Sequence, residues 1–138
     1  MLIRENTFIR FSFTSPYLRA TILHQNAPTD SEWEFTKSTI QHFYDAAEQS
    51  HIRLALCFDL CEMGVLPLHR YMDWSTLFLN NKERTAKCVL ATCIVTGSAL
   101  VRGAVNGFFM LYTPVRPFKL VNTVGEGDQW LAEHESST

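Results

Sequence analysis

The chain carries little net charge. Its 12 basic and 14 acidic residues leave a formal charge of −2 at pH 7. Proteins that bind nucleic acid or anionic membranes through electrostatics usually show a clear positive excess or a basic patch. We therefore expect no nucleic-acid partner, and we interpret most charged residues as the solvated faces of the elements that carry them.

Long apolar runs are also missing. The most apolar stretch, residues 88–101, is interrupted by Thr96-Gly97-Ser98 and ends at Arg102, whereas a helix that spans a bilayer needs about 20 apolar residues. A strand followed by a buried helix explains it better, and we expect no membrane span. In residues 1–5, MLIRE, three apolar residues are followed directly by two charged ones. A secretion signal needs a longer apolar stretch, so we expect none.

The four cysteines follow no recognisable disulfide or metal-binding pattern. All of them lie in or beside apolar runs, where a free cysteine behaves as a small hydrophobe. Cys57 and Cys61 lie on or beside a predicted strand, whereas structural zinc sites usually hold paired ligands in turns. We expect free thiols in a reducing, cytoplasmic setting, with no metal and no cofactor.

A glycine-rich phosphate loop is absent from the sequence. Gly125-Glu126-Gly127 precedes a predicted helix, but it lacks a third glycine. Its acidic residue and the following Asp128 would repel a phosphate. We interpret the segment as a turn and a helix cap.

Reactive side chains cluster in one segment, residues 58–69, FDLCEMGVLPLH. A Cys61 nucleophile with His69 as its base would need the two groups in hydrogen-bond contact, a third group and oxyanion donors. The sequence offers no oxyanion loop and no obvious orienting group. A turn that leads a buried strand into a helix beginning near Pro67 explains the same residues. We favour the turn and predict that the protein is not an enzyme.

Apolar periodicity predicts alternating strands and helices. Residues 9–13 and 18–22 alternate as the strands of a hairpin do, and residues 54–58 are apolar on both faces, as in a covered sheet. Thr29 and Glu32 have the spacing of a capping box. The further predicted elements are strands at about 88–96 and 118–122 and helices at about 29–50, 67–80, 99–112 and from 128 onward.

These elements predict an α/β fold: a mixed sheet of about five strands with four helices, in the order β-β-α-β-α-β-α-β-α. Parallel neighbours are expected to be joined by right-handed crossovers. The 138 residues suit one domain, 1–138, with 134–138 as a flexible tail. Gly103 and Gly107 share one face of a predicted helix and suggest close backbone packing there.

The order of elements resembles the STAS domain, the fold of bacterial anti-sigma-factor antagonists of the SpoIIAA type, which is structurally related to the lipid-binding CRAL-TRIO domain. The matching residues are 55–60, ALCFDL, 116–121, RPFKLV, and 128–131, DQWL. The resemblance covers the chain from about Asn6 to Glu133. It implies a small intracellular domain that binds a partner or ligand.

The phosphorylation switch of the antagonists does not carry over. In that family Asp-Leu-Ser follows this strand, and a later Asp-Ser-Ser-Gly holds the phosphorylated serine at a helix start. Asp59-Leu60 matches the opening, but Cys61 stands where the first serine would. Pro67 stands where the later aspartate would, and His69 stands where the phosphoacceptor would.

We therefore predict a non-enzymatic protein-binding or regulatory module, with a protein partner and with a homodimer as one form of that interaction. Thr96-Gly97-Ser98 opens a helix after a strand, where free N–H groups can contact a partner or an anion. The alternative is a carrier of a small apolar ligand, which the CRAL-TRIO relationship implies and the 12% aromatic content supports. The candidate partner-binding residues are Cys61, Pro67, His69, Thr96, Ser98 and Arg102.

Overall fold

A six-stranded mixed sheet forms the centre of the protein in a computed structural model that describes residues 1–111 and 113–136. Five helices accompany the sheet over those residues. The predicted α/β class is confirmed, but the predicted five strands and four helices are too few. The elements are β1 (Leu2–Glu5), β2 (Ile9–Thr14), β3 (Tyr17–Ile22), α1 (Asp30–Ser50), β4 (Leu54–Asp59), α2 (Leu68–Asn80), α3 (Lys82–Cys88), β5 (Val89–Val95), α4 (Ala99–Leu111), β6 (Phe118–Val121) and α5 (Val124–Ser136).

Strand β1 is the strand that the sequence pattern missed. It pairs antiparallel with β2, so that Leu2 lies opposite Phe13 and Glu5 opposite Arg10. All four residues of β1 are exposed. Without a buried face, nothing imposes the alternation of apolar and polar residues by which a strand is recognised.

The strands follow one another across the sheet in chain order. β1, β2 and β3 are antiparallel neighbours, and β3 to β6 are parallel, which confirms the predicted hairpin and parallel strands. Right-handed crossovers that advance in one direction place their helices on one face of a sheet. Helices α1 to α4 accordingly cover one face, the front face, and α5 packs on the other, the back face.

Helix α1 begins with the predicted capping box. Thr29 Oγ1 accepts a hydrogen bond from the Glu32 backbone N–H at 3.1 Å, and Glu32 Oε1 accepts one from the Thr29 N–H at 2.9 Å. The buried side of the helix lies on the hairpin, where the rings of Phe11 and Phe43 are 6.3 Å apart. α1 is thereby fixed on the front face.

Helix α3 was not predicted, because its seven residues are too few to show a helical period. Thr85 and Cys88 are its buried residues. The hydroxyl groups of Tyr44 and Thr85 lie 3.0 Å apart and join α3 to α1. Cys88 ends the helix, so β5 begins at Val89, one residue later than predicted.

Helix α5 lies close against the back face because the facing residues are small. Ala55 and Ala91 are fully buried there, and Gly127 offers no side chain. A Cβ atom on Gly127 would lie 2.9 Å from Cys93 Sγ. The close approach therefore depends on glycine at this position.

Two details of α5 differ from the prediction. The helix begins at Val124, with Thr123 Oγ1 accepting from the Glu126 N–H at 3.2 Å, so the segment 125–127 is its first turn rather than a preceding turn. The helix also runs to Ser136, whose hydroxyl donates to Ala132 O at 3.0 Å. The predicted tail, 134–138, is thus helical over 134–136, and its last two residues lie outside the described residues.

Helix α4 differs from its prediction in one respect. A Cβ atom on Gly103 or Gly107 would meet no atom within 4 Å, and both glycines are exposed. The predicted close backbone packing is therefore wrong. The predicted helix end at residue 112 lies outside the described residues. Of the helices that the structure describes, none is long and apolar enough to cross a membrane.

Candidate functional site

An apolar cavity of about 150 Å³ lies between the front face of the sheet and helices α1, α2 and α4. Its lining comes from five strands, from all four helices of the front face and from the loops that follow β4 and α4. The lining is almost wholly aliphatic and aromatic. The principal lining residues are Phe8, Ile9, Ala20, Ile22, Trp33, Phe58, Leu60, Met63, Leu66, Tyr71, Trp74, Phe78, Ile94, Val105, Phe108, Phe109, Val115, Arg116 and Phe118.

Alternation along the strands builds the floor of the cavity. In β3, Ala20 and Ile22 point to the front face, and in β5 Thr92 and Ile94 do the same. Ala20 is buried between larger neighbours, and its methyl group leaves space above the middle of the sheet. A small residue at the centre of the floor helps to create the cavity.

Aromatic rings form the wall on the side of α2. The Trp74 ring lies 5.8 Å from the Trp33 ring, 5.5 Å from Phe58 and 5.3 Å from Phe78, measured between centroids. All three contacts are edge-to-face or tilted, as aromatic rings prefer. The wall is therefore a packed aromatic cluster that presents ring surface to the cavity.

Polar links hold α2 against α1 at the rim of the cavity. Trp33 Nε1 donates to Asp73 Oδ2 at 3.1 Å, and Arg70 Nη2 donates to Asp30 Oδ1 at 2.6 Å. The Arg70 guanidinium also lies 5.6 Å from the centre of the Trp33 ring, within range of a cation–π contact. These bonds fix the helix that covers this side of the cavity.

Arg116 is the one charged residue among the described lining residues. Its Nε donates to Val89 O at 2.9 Å and its Nη2 to Leu90 O at 3.1 Å. β6 pairs with β5 only from Thr92 onward. The Arg116 side chain therefore binds the first two carbonyl groups of β5, which β6 does not reach. The remaining polar groups of the lining residues are hydroxyl groups and the indole N–H groups of Trp33 and Trp74. Burial raises the pKa of the Tyr71 hydroxyl above its usual value.

The three predicted site residues of the segment 58–69 lie on the turn after β4 and at the start of α2, and none of them lines the cavity. Cys61 and His69 are exposed, and in the described part of the chain no hydrogen bond joins them. The Cys61 N–H donates to Asp59 Oδ1 at 3.1 Å, which closes the turn. Burial and then the hydrogen bond to Asp59 raise the pKa of the Cys61 thiol to about 11, so it is protonated near neutral pH. Pro67 precedes the first residue of α2.

The other three predicted residues form the start of α4. Thr96 Oγ1 accepts from the Ser98 N–H at 3.1 Å, and Ser98 Oγ accepts from the Val101 N–H at 3.2 Å. Arg102 Nη2 donates to Thr96 O at 3.1 Å and also to Asn122. These bonds involve the side chains of all three residues, and the arrangement is that of a helix cap. The six predicted residues therefore fall in two separate places, neither of which lines the cavity.

A second side-chain cluster, which the sequence did not reveal, lies on the back face. Arg19, Cys57 and Cys93 are direct neighbours across β3, β4 and β5. A hydrogen bond from Cys93, together with the charge of Arg19, lowers the pKa of Cys57 against the effect of burial, and the pKa of Cys93 is raised. Arg19 also pairs with Asp128 of α5. The cluster fastens α5 to the sheet.

Metal binding has little support in the side-chain arrangement. Within residues 1–111 and 113–136, no group of three or more His, Cys, Asp or Glu side chains could hold a metal ion. The four cysteines are free, and Cys61 alone of them is exposed.

Comparison with known proteins supports the fold. No protein-family model matches the chain, and no curated protein sequence is significantly similar to it. A crystal structure of an uncharacterised protein of the DUF3478 family from Shewanella loihica PV-4, described as having a SpoIIAA-like fold, superimposes with a TM-score of 0.63. The match has 17% sequence identity and covers 89% of this chain and 91% of that chain. The chain thus has a SpoIIAA-like fold, as the resemblance implied.

Proposed function

We propose that this protein is a non-enzymatic binding module that holds a small apolar molecule in the cavity of its front face. The observation that carries the proposal is the cavity of about 150 Å³ with its aromatic and aliphatic lining. Cores of small domains are normally packed without voids of this size. The cavity is partly open to solvent, so a bound apolar ligand would remove its aromatic and aliphatic lining from contact with water.

The volume indicates the size of the ligand. Apolar cavities of about 150 Å³ made by truncating a core side chain in another protein stay dry and bind benzene. A ligand of a single ring or a short alkyl chain therefore fits this cavity, whereas a long-chain phospholipid requires the helices to move apart. A domain of 138 residues has little core to spare for the pocket of a long-chain lipid, whereas a cavity of this size leaves most of its core packed.

The three tryptophans provide the experiment. Trp33 and Trp74 line the cavity, whereas Trp130 packs on the back face. Titration with toluene and with n-hexanol should shift the indole N–H resonances of Trp33 and Trp74 in two-dimensional NMR spectra and leave that of Trp130 in place.

A pair of variants on α4 separates filling of the cavity from unspecific binding. Ala104 lines the cavity, and Ala99 is exposed on the same helix. Ala104→Phe should abolish the ligand-induced shifts, whereas Ala99→Phe should leave them unchanged. Equal shifts at all three tryptophans, or unaltered binding in Ala104→Phe, would rule out the proposal.

A second candidate function is docking of another copy of the chain on the outer side of α2. Leu68, Met72 and Leu79 are 74%, 61% and 51% exposed, and their spacing is that of a helix-pairing seam. A two-fold symmetric dimer needs only this one patch. Native mass spectrometry tests it. Met72→Glu should convert a dimer to a monomer, and Asn106→Glu, at an exposed position of α4, should not. A wild-type monomer at high concentration contradicts this candidate.

We also propose that the protein is located in the cytoplasm. It is supported by the four free thiols, three of which are buried and contribute to the two cores. Recovery of the protein from its host cells in the soluble fraction, with all four thiols reduced, is the expected result.

A further inference from the structure

The charge of Arg116 is unmatched at the edge of an apolar cavity. Arg116 is partly buried, and its two hydrogen bonds go to the neutral carbonyl groups of Val89 and Leu90. None of the ion pairs among the described residues includes Arg116. Burial of a charge is unfavourable unless the charge is paired.

The guanidinium group keeps donors for a further acceptor. It has five N–H groups in a planar fork, and the two bonds to β5 use one on Nε and one on Nη2. A planar fork binds carboxylates especially well, because two parallel N–H groups can meet two oxygens. Phe118 and Val115, which line the cavity beside Arg116, would exclude water from such a pair.

We propose that the natural ligand is an amphiphilic monocarboxylate whose carboxylate group binds Arg116 and whose apolar part occupies the cavity. This inference rests on the proposed function, because it specifies the ligand class of the same cavity. Arg116 comes from the loop after α4, whereas Trp74 belongs to the aromatic wall of α2. A ligand with a polar end and an apolar end matches this division between one charged group and an otherwise apolar lining.

The competing explanation gives Arg116 a purely structural role. In that case its bonds to Val89 and Leu90 complete the edge of β5, and the cavity would bind neutral and anionic ligands of equal size alike. The two explanations therefore differ in their preference for charge, which can be measured on the wild-type protein.

Octanoate and n-octanol form the matched pair of probes, because they share the alkyl chain and differ in the charged group. Binding is followed by the indole resonances of Trp33 and Trp74 at neutral pH. The wild-type protein should bind octanoate about tenfold to a hundredfold more tightly than octanol, the usual contribution of a charge-assisted hydrogen bond. Arg116→Gln should remove this preference and leave octanol binding within about twofold. Arg102→Gln, which changes an arginine outside the cavity, is the control and should keep the preference.

Arg116→Lys is a second variant that tests the inference even if Arg116→Gln fails to fold. Lysine keeps the charge but not the planar fork, so this variant should retain part of the preference for octanoate. Equal affinity of wild-type protein for the two probes, or a preference that survives in Arg116→Gln, would overturn the inference while leaving the proposed function intact. Absence of binding by both probes and by toluene would overturn the proposed function itself.

Discussion

Gly127 of α5 lies so close to Cys93 of β5 that a Cβ atom on the glycine would be 2.9 Å from the Cys93 sulfur. Cys93 is fully buried and has Cys57 as its neighbour on β4. The contact explains a glycine inside a helix, where glycine costs about 1 kcal/mol relative to alanine. The close seating of α5 on the back face outweighs that cost.

Replacement of Gly127 by alanine should therefore destabilise the protein. A methyl group at this position overpacks the interface, which typically costs about 1–3 kcal/mol, although alanine favours the helix. Urea denaturation followed by circular dichroism measures the change in the free energy of unfolding. The loss should be smaller when Cys93→Ala is present as well, because the sulfur that obstructs the methyl group is then absent.

Gly125→Ala is the matched control on the same helix. The nearest atom to a Cβ on Gly125 is Thr123 Oγ1 at 4.0 Å, so alanine fits without a clash. Its helix propensity should make this variant as stable as the wild type or more stable, by up to about 1 kcal/mol. Equal losses in Gly125→Ala and Gly127→Ala would show that the contact with Cys93 is not the cause.

The Cys61 thiol should react slowly despite its exposure. Its pKa is raised to about 11 by burial and then by Asp59, and the thiolate is the reactive form. At pH 7 we expect alkylation by iodoacetamide about 20-fold more slowly than for a free cysteine, since the higher nucleophilicity offsets part of the lost thiolate. The rate should rise with pH up to about 11, and mass spectrometry of the alkylated protein follows it.

Asp59→Asn tests the cause of the raised pKa. The amide oxygen of asparagine can still accept the Cys61 N–H, so the turn is retained while the negative charge is removed. Alkylation of Cys61 at pH 7 should become faster in this variant. Glu62→Gln should have a smaller effect, because Glu62 contributes less to the shift than Asp59 does. A rate equal to that of free cysteine in the wild type contradicts the prediction.

The Tyr44–Thr85 pair should contribute to the attachment of α3. The hydroxyl groups are 3.0 Å apart and buried, and loss of one partner from a buried pair costs about 1–3 kcal/mol. Tyr44→Phe and Thr85→Val should each lower the free energy of unfolding by an amount in this range. The double variant should lose less than the sum, as a double-mutant cycle in urea would show. Strictly additive losses would mean that the two hydroxyl groups do not interact.

The sequence predicted those parts of the fold that have a strong local signal. The capping box of Thr29 and Glu32 marks the start of α1, and the two-faced apolar run of residues 54–58 marks a covered strand. β1 was not predicted because it has no buried face, and α3 was not predicted because it is too short to show a helical period of apolar residues. The position of Gly127 was predicted as a turn, since only the packing against Cys93 shows why a helix contains it.

The candidate site could not be predicted in the same way. Sequence patterns point to reactive groups, but Cys61 lies on the exposed turn after β4 and His69 on the exposed side of the first turn of α2, and neither lines the cavity. The cavity arises from apolar residues of elements distant in sequence, and each of them alone looks like an ordinary core residue. Arg116 belongs to the segment 116–121 that resembles the STAS domain, but its position beside the cavity depends on where β6 begins. The sequence offered one signal for Arg116: it is a charged residue that lies between two prolines, just before a short strand.

The link between Trp33 and Asp73 leads to a prediction about ligand release. The indole N–H donates to the carboxylate at 3.1 Å, and the carboxylate side chain is 44% exposed. Loss of so exposed an interaction should change the free energy of unfolding by no more than about 1 kcal/mol. It should nevertheless loosen α2 over the cavity. Asp73→Ala is therefore expected to raise the dissociation rate of a bound apolar ligand about threefold or more, with the melting temperature nearly unchanged.

Glu34→Ala provides the control for Asp73→Ala. Glu34 pairs with Lys37 at 3.0 Å, and Lys37 also approaches Asp73 at 3.9 Å, so both variants remove one carboxylate from the same local network. Glu34 makes no contact with Trp33 through its side chain in the described hydrogen bonds, and its loss should leave the dissociation rate unchanged. Line-shape analysis of the Trp33 indole resonance during a toluene titration gives the rate. An equal acceleration in both variants would assign the effect to the lost charge rather than to the release of α2, and unchanged rates in both would show that α2 does not control the exit of the ligand.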